Sequence, residues 1–126
     1  AVDTITAHFT ETGLPLDYYD MVVTGDLGKH GKNLCIQLLE GNGINIKNCY
    51  DDCGTMIYDP EQQTDCGGSG CACSATVFAG YLLDRLSKRE ISKLLLVSTG
   101  ALHSPTSIQQ GESIPAIAHA VGVEMP

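Results

Sequence analysis

The chain has no tryptophan, and only 6% of its residues are aromatic, so its core must be built from aliphatic side chains. It is poor in positive charge: seven Lys and Arg stand against fifteen Asp and Glu, for a formal net charge of −8. That balance excludes nucleic acid as the default partner, because phosphate binding needs a basic face. A small anion remains open, since backbone N–H groups can hold one locally. No apolar run approaches the roughly 18–20 residues that cross a bilayer. The opening AVDTITAHF carries an acid and no basic run, so it does not read as a signal peptide, and it lacks an initiating Met. Disorder is excluded in turn, because 43% of the 126 residues are hydrophobic and only 17% charged, which suits one modest packed domain.

What is abundant is glycine and cysteine. The fourteen glycines predict many tight turns. The six cysteines, at 35, 49, 53, 66, 71 and 73, are read as reduced thiols in a cytosolic setting, since no export signal accompanies them. Zinc is disfavoured, because Cys49-x3-Cys53 and Cys66-x4-Cys71-x-Cys73 lack the two-residue gaps of a knuckle.

Hydrophobic spacing predicts the elements. Val2, Ile5 and Phe9 recur at helical intervals until Gly13. Asp20–Gly25 is a short apolar run of the kind that forms a buried parallel strand. A polar loop over Gly25–Lys32 and a helix over Asn33–Glu40 follow, with two short strands expected at Ile44–Ile46 and Thr55–Tyr58. Asp59–Asp65 reads as a connector. The clearest helix places Ala75, Phe78, Ala79, Leu82, Leu83 and Leu86 on one stripe, with Asp84, Arg85 and Lys88 facing away. Ile91–Thr99 is a central strand, His103–Ser113 a polar loop, and Ile114–Glu124 a last strand antiparallel to its predecessor. Alternation of this kind predicts an α/β fold with a mixed β-sheet covered by helices.

The run Cys66-Gly67-Gly68-Ser69-Gly70-Cys71-Ala72-Cys73-Ser74 is the first candidate for chemistry. Glycines before a helix let backbone approach a ligand and turn N–H groups toward it. The same field would lower the pKa of Cys71 or Cys73. Close packing of glycine and small thiols is the competing reading, and the run is neither a P-loop nor a dinucleotide fingerprint. Thr24-Gly25-Asp26 follows a strand directly, where ligands of α/β sheets bind, although Asp26 could equally be a turn residue. Asp51 and Asp52 could bind a hard cation or serve as acid and base, but solvated or capping carboxylates are commoner in turns. Among the histidines, His103 follows the central strand and is best placed. His8 reads as exposed on a helix, His30 as a loop residue, and His119 as a hydrogen-bonded core histidine. No Ser-His-Asp spacing or GxSxG elbow is present.

GDLG (25–28), DDCGTMIYD (51–59), GGSGCACSA (67–75), STGALHSP (98–105) and QQGESIPAIAHAV (109–121) together resemble the stage V sporulation protein AD family, in order and over essentially the whole chain. The resemblance implies a thiolase-like fold, of which residues 1–126 correspond to the C-terminal half. It implies binding of dipicolinic acid, alone or with calcium, and a part in its uptake into the developing spore. The protein would be cytoplasmic and peripheral to the spore inner membrane, associated with a spore membrane-protein assembly, with its own N-terminal half or a second copy, and not with nucleic acid. No cofactor or metal is implied.

In condensing enzymes of that fold the nucleophilic cysteine lies in the first half. The second half supplies a histidine after a strand, then an asparagine or histidine at a helix-opening loop. By motif order these positions fall near Thr24-Gly25-Asp26 and Gly67–Cys71, where this sequence has neither residue. The expectation is therefore a non-catalytic binding protein, with Gly25, Asp26, Gly67, Gly68, Ser69, Gly70, Cys71 and His103 as ligand-binding residues. A structural subunit without its own ligand, or a remnant acyltransferase, are the alternatives.

Overall fold

Apolar residues run unbroken along the two central strands, and because successive strand side chains point to opposite faces, both faces of one sheet are apolar. The computed structural model describes all of residues 1–126. Helix α1 (Val2–Thr12) leads to strand β1 (Met21–Thr24), helix α2 (Gly28–Gly41) and strand β2 (Tyr50–Asp52). A short α3 (Cys53–Met56) and a 3-10 turn (Pro60–Gln62) precede a continuous helical run. This run comprises α4 (Cys73–Val77), a π-helical segment (Phe78–Leu82) and α5 (Leu83–Ser87). Strand β3 (Lys93–Ala101), helix α6 (Pro105–Gln109) and strand β4 (Ala116–Glu124) complete the chain.

The sheet order is β2-β1-β3-β4. β1 runs parallel to both β2 and β3, while β4 is antiparallel to β3 over nine residue pairs, from Lys93–Glu124 to Ala101–Ala116. The sheet is therefore mixed, with helices on both faces, and the architecture is α/β and consistent with a thiolase-like half domain. On one face Val22, Leu95 and Val97 pack with Ile5 and Phe9 of α1, Cys35 and Leu39 of α2, and Tyr50. On the other, Val23 and Leu94 pack with Cys73, Val77, Leu82 and Leu86. Gly13 ends α1 in the left-handed conformation, φ 66°, with its N–H on the Phe9 carbonyl.

Several expectations are corrected. The predicted strand at Ile44–Ile46 is absent; Ile44 and Ile46 instead plug the first core, and the strand forms at Tyr50–Asp52. Thr55–Tyr58 is likewise no strand, because the Asp52 carboxylate caps Gly54 and starts α3. Helix α2 begins at Gly28, inside the segment expected as loop, and α6 forms within the loop expected at His103–Ser113, capped by Ser104.

The helical run at 73–87 buries the predicted stripe only in part: Leu82 and Leu86 are in the core and Phe78 packs against it, but the other three predicted positions are not buried. Its buried positions are Cys73, Val77, Leu82 and Leu86, while Ala75, Ala79 and Leu83 are exposed. The five-residue step from Val77 to Leu82 is not α-helical; the π segment inserts one residue and re-phases the apolar face onto the sheet. His119 stands on the exposed side of β4 rather than in the core, whereas His8 is half-buried with its Nε2 3.0 Å from the Tyr19 hydroxyl.

Candidate functional site

The carboxyl end of β1 lies beside the middle of β3, because Thr24 pairs with Val97 in the parallel register. β1 then runs into Gly25-Asp26, which lies beside Thr99-Gly100 in the last part of β3. A Cβ on Gly25 would lie 2.5 Å from the Thr99 backbone nitrogen, so only glycine lets the chains stay this close. Beyond these strand ends opens a cavity of about 860 Å³. Asp26, Ser69, Gly70, Cys71 and His103 all line it. It is a crevice at strand carboxyl ends, where α/β sheets bind ligands.

Asp26 joins the walls. One carboxylate oxygen accepts from the Thr99 hydroxyl at 2.8 Å, and the Thr99 hydroxyl oxygen in turn accepts from the Asp26 N–H at 3.0 Å. The other carboxylate oxygen accepts from the Gly70 N–H at 3.1 Å and lies 3.4 Å from the Ser69 hydroxyl. The glycine turn was expected to aim its N–H groups at a ligand. In this conformation the Gly70 donor is already engaged by Asp26.

The eight residues read from the sequence thus divide into two groups. Asp26, Ser69, Gly70, Cys71 and His103 come together at the cavity. Gly25, Gly67 and Gly68 sit behind it in close packing: a Cβ on Gly68 would lie 2.7 Å from the Ile57 side chain, and Gly67, at φ 100°, lies against Gly54. His30 is exposed on α2, outside the cavity.

Sequence reasoning missed Thr99, the start of α1 (Asp3 and Thr4) and the start of β4 (Ile117), all of which line the cavity. The Thr99-Gly100 pair after an apolar run was the available signal, the same one that marked Gly25-Asp26. Nothing local marked α1 or β4, which reach the site only through the packing of the sheet.

The two adjacent carboxylates do not act as a pair. Asp51 reaches Lys32, with Oδ1 2.7 Å from Nζ. Burial acts to raise the Asp51 pKa, but Lys32, the Asp52 N–H and the Thr55 hydroxyl outweigh it and hold the carboxyl below its usual range. Asp52 turns the other way and is fully buried. It accepts from the Thr24 hydroxyl at 2.7 Å and from the N–H groups of Leu27, Gly28 and Gly54 at 3.0, 2.8 and 3.0 Å.

Cys73 is not activated in the way the helix field suggested. Cys73 is buried, and burial together with Asp26 and Asp52 pushes its pKa up. Cys53 is pushed up to about 12 by burial, then by Asp52, Cys73 and Asp51. Burial also raises Cys35 and Cys49. Cys66 and Cys71 are exposed. No three His, Cys, Asp or Glu side chains converge in a metal-holding group, and no helix is long and apolar enough to cross a membrane.

Residues 1–124 match the family described as Stage V sporulation protein AD (SpoVAD). Stage V sporulation protein AD of Bacillus subtilis (strain 168) is 44% identical over 124 residues, covering 98% of this chain. The chain spans 37% of the length of that relative. On both grounds, the chain belongs to the Stage V sporulation protein AD family of sporulation proteins.

Proposed function

We propose that the cavity at the strand ends binds dipicolinate, and that the chain serves dipicolinate uptake into the developing spore without catalysing a reaction. The observation that carries this reading is the convergence of Asp26, Ser69, Gly70, Cys71 and His103 on one cavity of about 860 Å³. They come from three separate loops. His103 offers a donor to a carboxylate, the Ser69 hydroxyl and the Gly70 N–H do so on release from Asp26, and Ile117 and Leu27 offer apolar wall to a ring. The raised thiol of Cys73 speaks against acyl transfer from that cysteine, because a protonated thiol is a poor nucleophile.

On this reading the protein is cytoplasmic and acts at the spore inner membrane through a membrane-protein assembly. Its N-terminal half or a second copy completes the walls, and calcium can accompany the ligand. Isothermal titration with dipicolinate, on this chain and on the chain combined with an N-terminal half, tests it. Saturable heat supports the reading, and no heat in both arms ends it.

A second reading is an interaction subunit with no ligand of its own. Leu34 and Leu38 on α2, and Ile117 and Val121 on β4, are each about half exposed or more. Apolar side chains left open in this way suit a protein surface. A stable dimer in size-exclusion chromatography, with no response to dipicolinate, would favour it. The remnant-acyltransferase reading would instead require one thiol to react with iodoacetamide faster than a free thiol.

A further inference from the structure

Asp52 has no cationic partner, although it is fully buried. The nearby Lys32 is committed to Asp51. Four donors hold the Asp52 carboxylate instead, two on each oxygen. Oδ2 takes the Thr24 hydroxyl at 2.7 Å and the Leu27 N–H at 3.0 Å. Oδ1 takes the Gly28 N–H at 2.8 Å and the Gly54 N–H at 3.0 Å. A carboxylate has about four lone-pair sites, and all are filled. The ionised form fits this arrangement, because a carboxylate only accepts.

The donors have a direction. Thr24 gives its proton to Asp52, so its oxygen accepts from the Tyr50 hydroxyl, 2.8 Å away. The polar groups between β2 and β1 are thus aligned on one buried charge.

What Asp52 holds leads to the cavity. Gly28 and Lys29 open α2, and the Lys29 N–H donates to the Cys66 carbonyl at 2.8 Å. The Gly54 carbonyl accepts from the Gly68 N–H at 2.6 Å. The glycine turn is therefore stitched to the sheet at Cys66 and Gly68, and each stitch lies beside an N–H bound by Asp52. No side chain fits in the seam: a Cβ on Gly28 would lie 2.6 Å from the Cys66 carbonyl oxygen, and one on Gly54 2.9 Å from Asp52 Oδ1. Two residues past the second stitch is Gly70, whose N–H meets Asp26 in the cavity. On the same side, the Leu27 N–H ties Asp52 to a residue that lines the cavity directly.

We propose that Asp52 is the positioning residue of the cavity. From outside the ligand space, its buried carboxylate sets the Gly25–Gly28 loop and the Cys66–Gly70 turn in register with each other. The proposal rests on the binding reading for its consequence in affinity, but not for its structural content.

The test is Asp52→Asn, read by amide hydrogen exchange and by dipicolinate titration. In either orientation the Asn NH2 would face at least one backbone donor, the Leu27 N–H on one side or the Gly28 and Gly54 N–H groups on the other, and lose that bond. Loss of a charge-assisted acceptor of this kind is expected to speed exchange at the Lys29 and Gly68 amides by at least about tenfold. The remote amides of Asp20 and Ile44, bonded to the Lys93 and Leu39 carbonyls, should keep their rates. Dipicolinate affinity should fall by at least about tenfold.

Equal acceleration at all four amides would make Asp52 a general stabiliser and overturn the proposal, as would no acceleration at Lys29 and Gly68. If the unaltered protein binds no dipicolinate, the binding reading fails, and the exchange pattern still decides the role of Asp52. If Asp52→Asn does not fold, Thr24→Val removes one of the four donors. It should speed the same two amides severalfold, while Thr24→Ser restores them. Identical exchange in those two variants would overturn the proposal.

Discussion

Asp26 and Thr99 bind each other in both directions: the Asp26 N–H donates to the Thr99 hydroxyl oxygen at 3.0 Å, and that hydroxyl donates to the Asp26 carboxylate at 2.8 Å. The pair fixes the end of β1 against the end of β3, and leaves the second Asp26 oxygen free to take the Gly70 N–H. A carboxylate of the protein thus occupies a donor that an anionic ligand would use. Asp3 adds a second negative charge to the cavity lining.

Asp26→Ala should therefore strengthen dipicolinate binding. It removes a like charge and frees the Gly70 N–H. The gain should be severalfold at low salt and shrink as ionic strength rises, because an open cavity is screened. Titration at two salt concentrations measures it. Weaker binding in the variant would mean that the ligand needs Asp26, as it would if a cation bridged the two.

Two glycine substitutions should move stability in opposite directions. Gly54 is pressed against Asp52 and the Gly68 carbonyl, so Gly54→Ala overpacks the seam and should cost about 1–3 kcal/mol. Gly80 lies in the π-helical segment with nothing within 4 Å of a new Cβ. Gly80→Ala should stabilise by about 0.5–1 kcal/mol, through the unfolded chain's lost freedom. Urea unfolding followed by circular dichroism compares the two.

Alkaline stability should track the buried thiols. The folded pKa of Cys53, about 12, lies above the 9.0 of an unperturbed thiol. Below pH 9 both states keep the proton and the thiol adds no pH dependence. Above it the unfolded chain loses a proton that the folded chain keeps, so stability falls as pH rises from 9 towards 12. Cys53 alone contributes up to about 1.4 kcal/mol per pH unit. Cys53→Ala should flatten this limb of the denaturation curve. In the native state iodoacetamide should label exposed Cys66 and Cys71 and spare Cys53 and Cys73 until denaturant is added.

At acid pH the sign reverses. Asp51 is held below its usual range against the effect of burial, by Lys32, the Asp52 N–H and Thr55. Its stabilisation is present above the unfolded carboxylate pKa of about 4 and is lost as pH falls through the lower folded value. Lys32→Met should reduce the acid resistance of the fold. The effect is expected to stay within about 1 kcal/mol, because both side chains are partly solvated. Urea midpoints at pH 3 and pH 6 give the comparison.

Much of the fold was legible because hydrophobic period is a local property. Val2, Ile5 and Phe9 marked α1, and the unbroken apolar run of residues 94–97 marked β3. The antiparallel pairing of β3 and β4 followed from the absence of a long crossover between them. The Val77–Leu82 step was not legible, because a π segment leaves the composition of the helix unchanged and alters only its phase. Nor was β2, whose sequence Tyr50-Asp51-Asp52 reads as a turn until its hydrogen bonds are known.

For the site, the sequence by itself determined which segments carry small residues able to approach a ligand: Gly25-Asp26, Gly67–Cys71 and the stretch after β3 that holds His103. It determined the family as well, since the motifs stand in order along the chain. Only the tertiary structure decided that Asp26 and Gly70 bind each other, and that Gly67 and Gly68 pack against α3 rather than face the cavity. It alone separated Asp51, paired with Lys32 near the surface, from Asp52, buried among four donors. The reason is one of range. Periodicity and turn chemistry act between neighbours in sequence, whereas the donors that meet Asp52 and Asp26 come from segments up to 73 residues away.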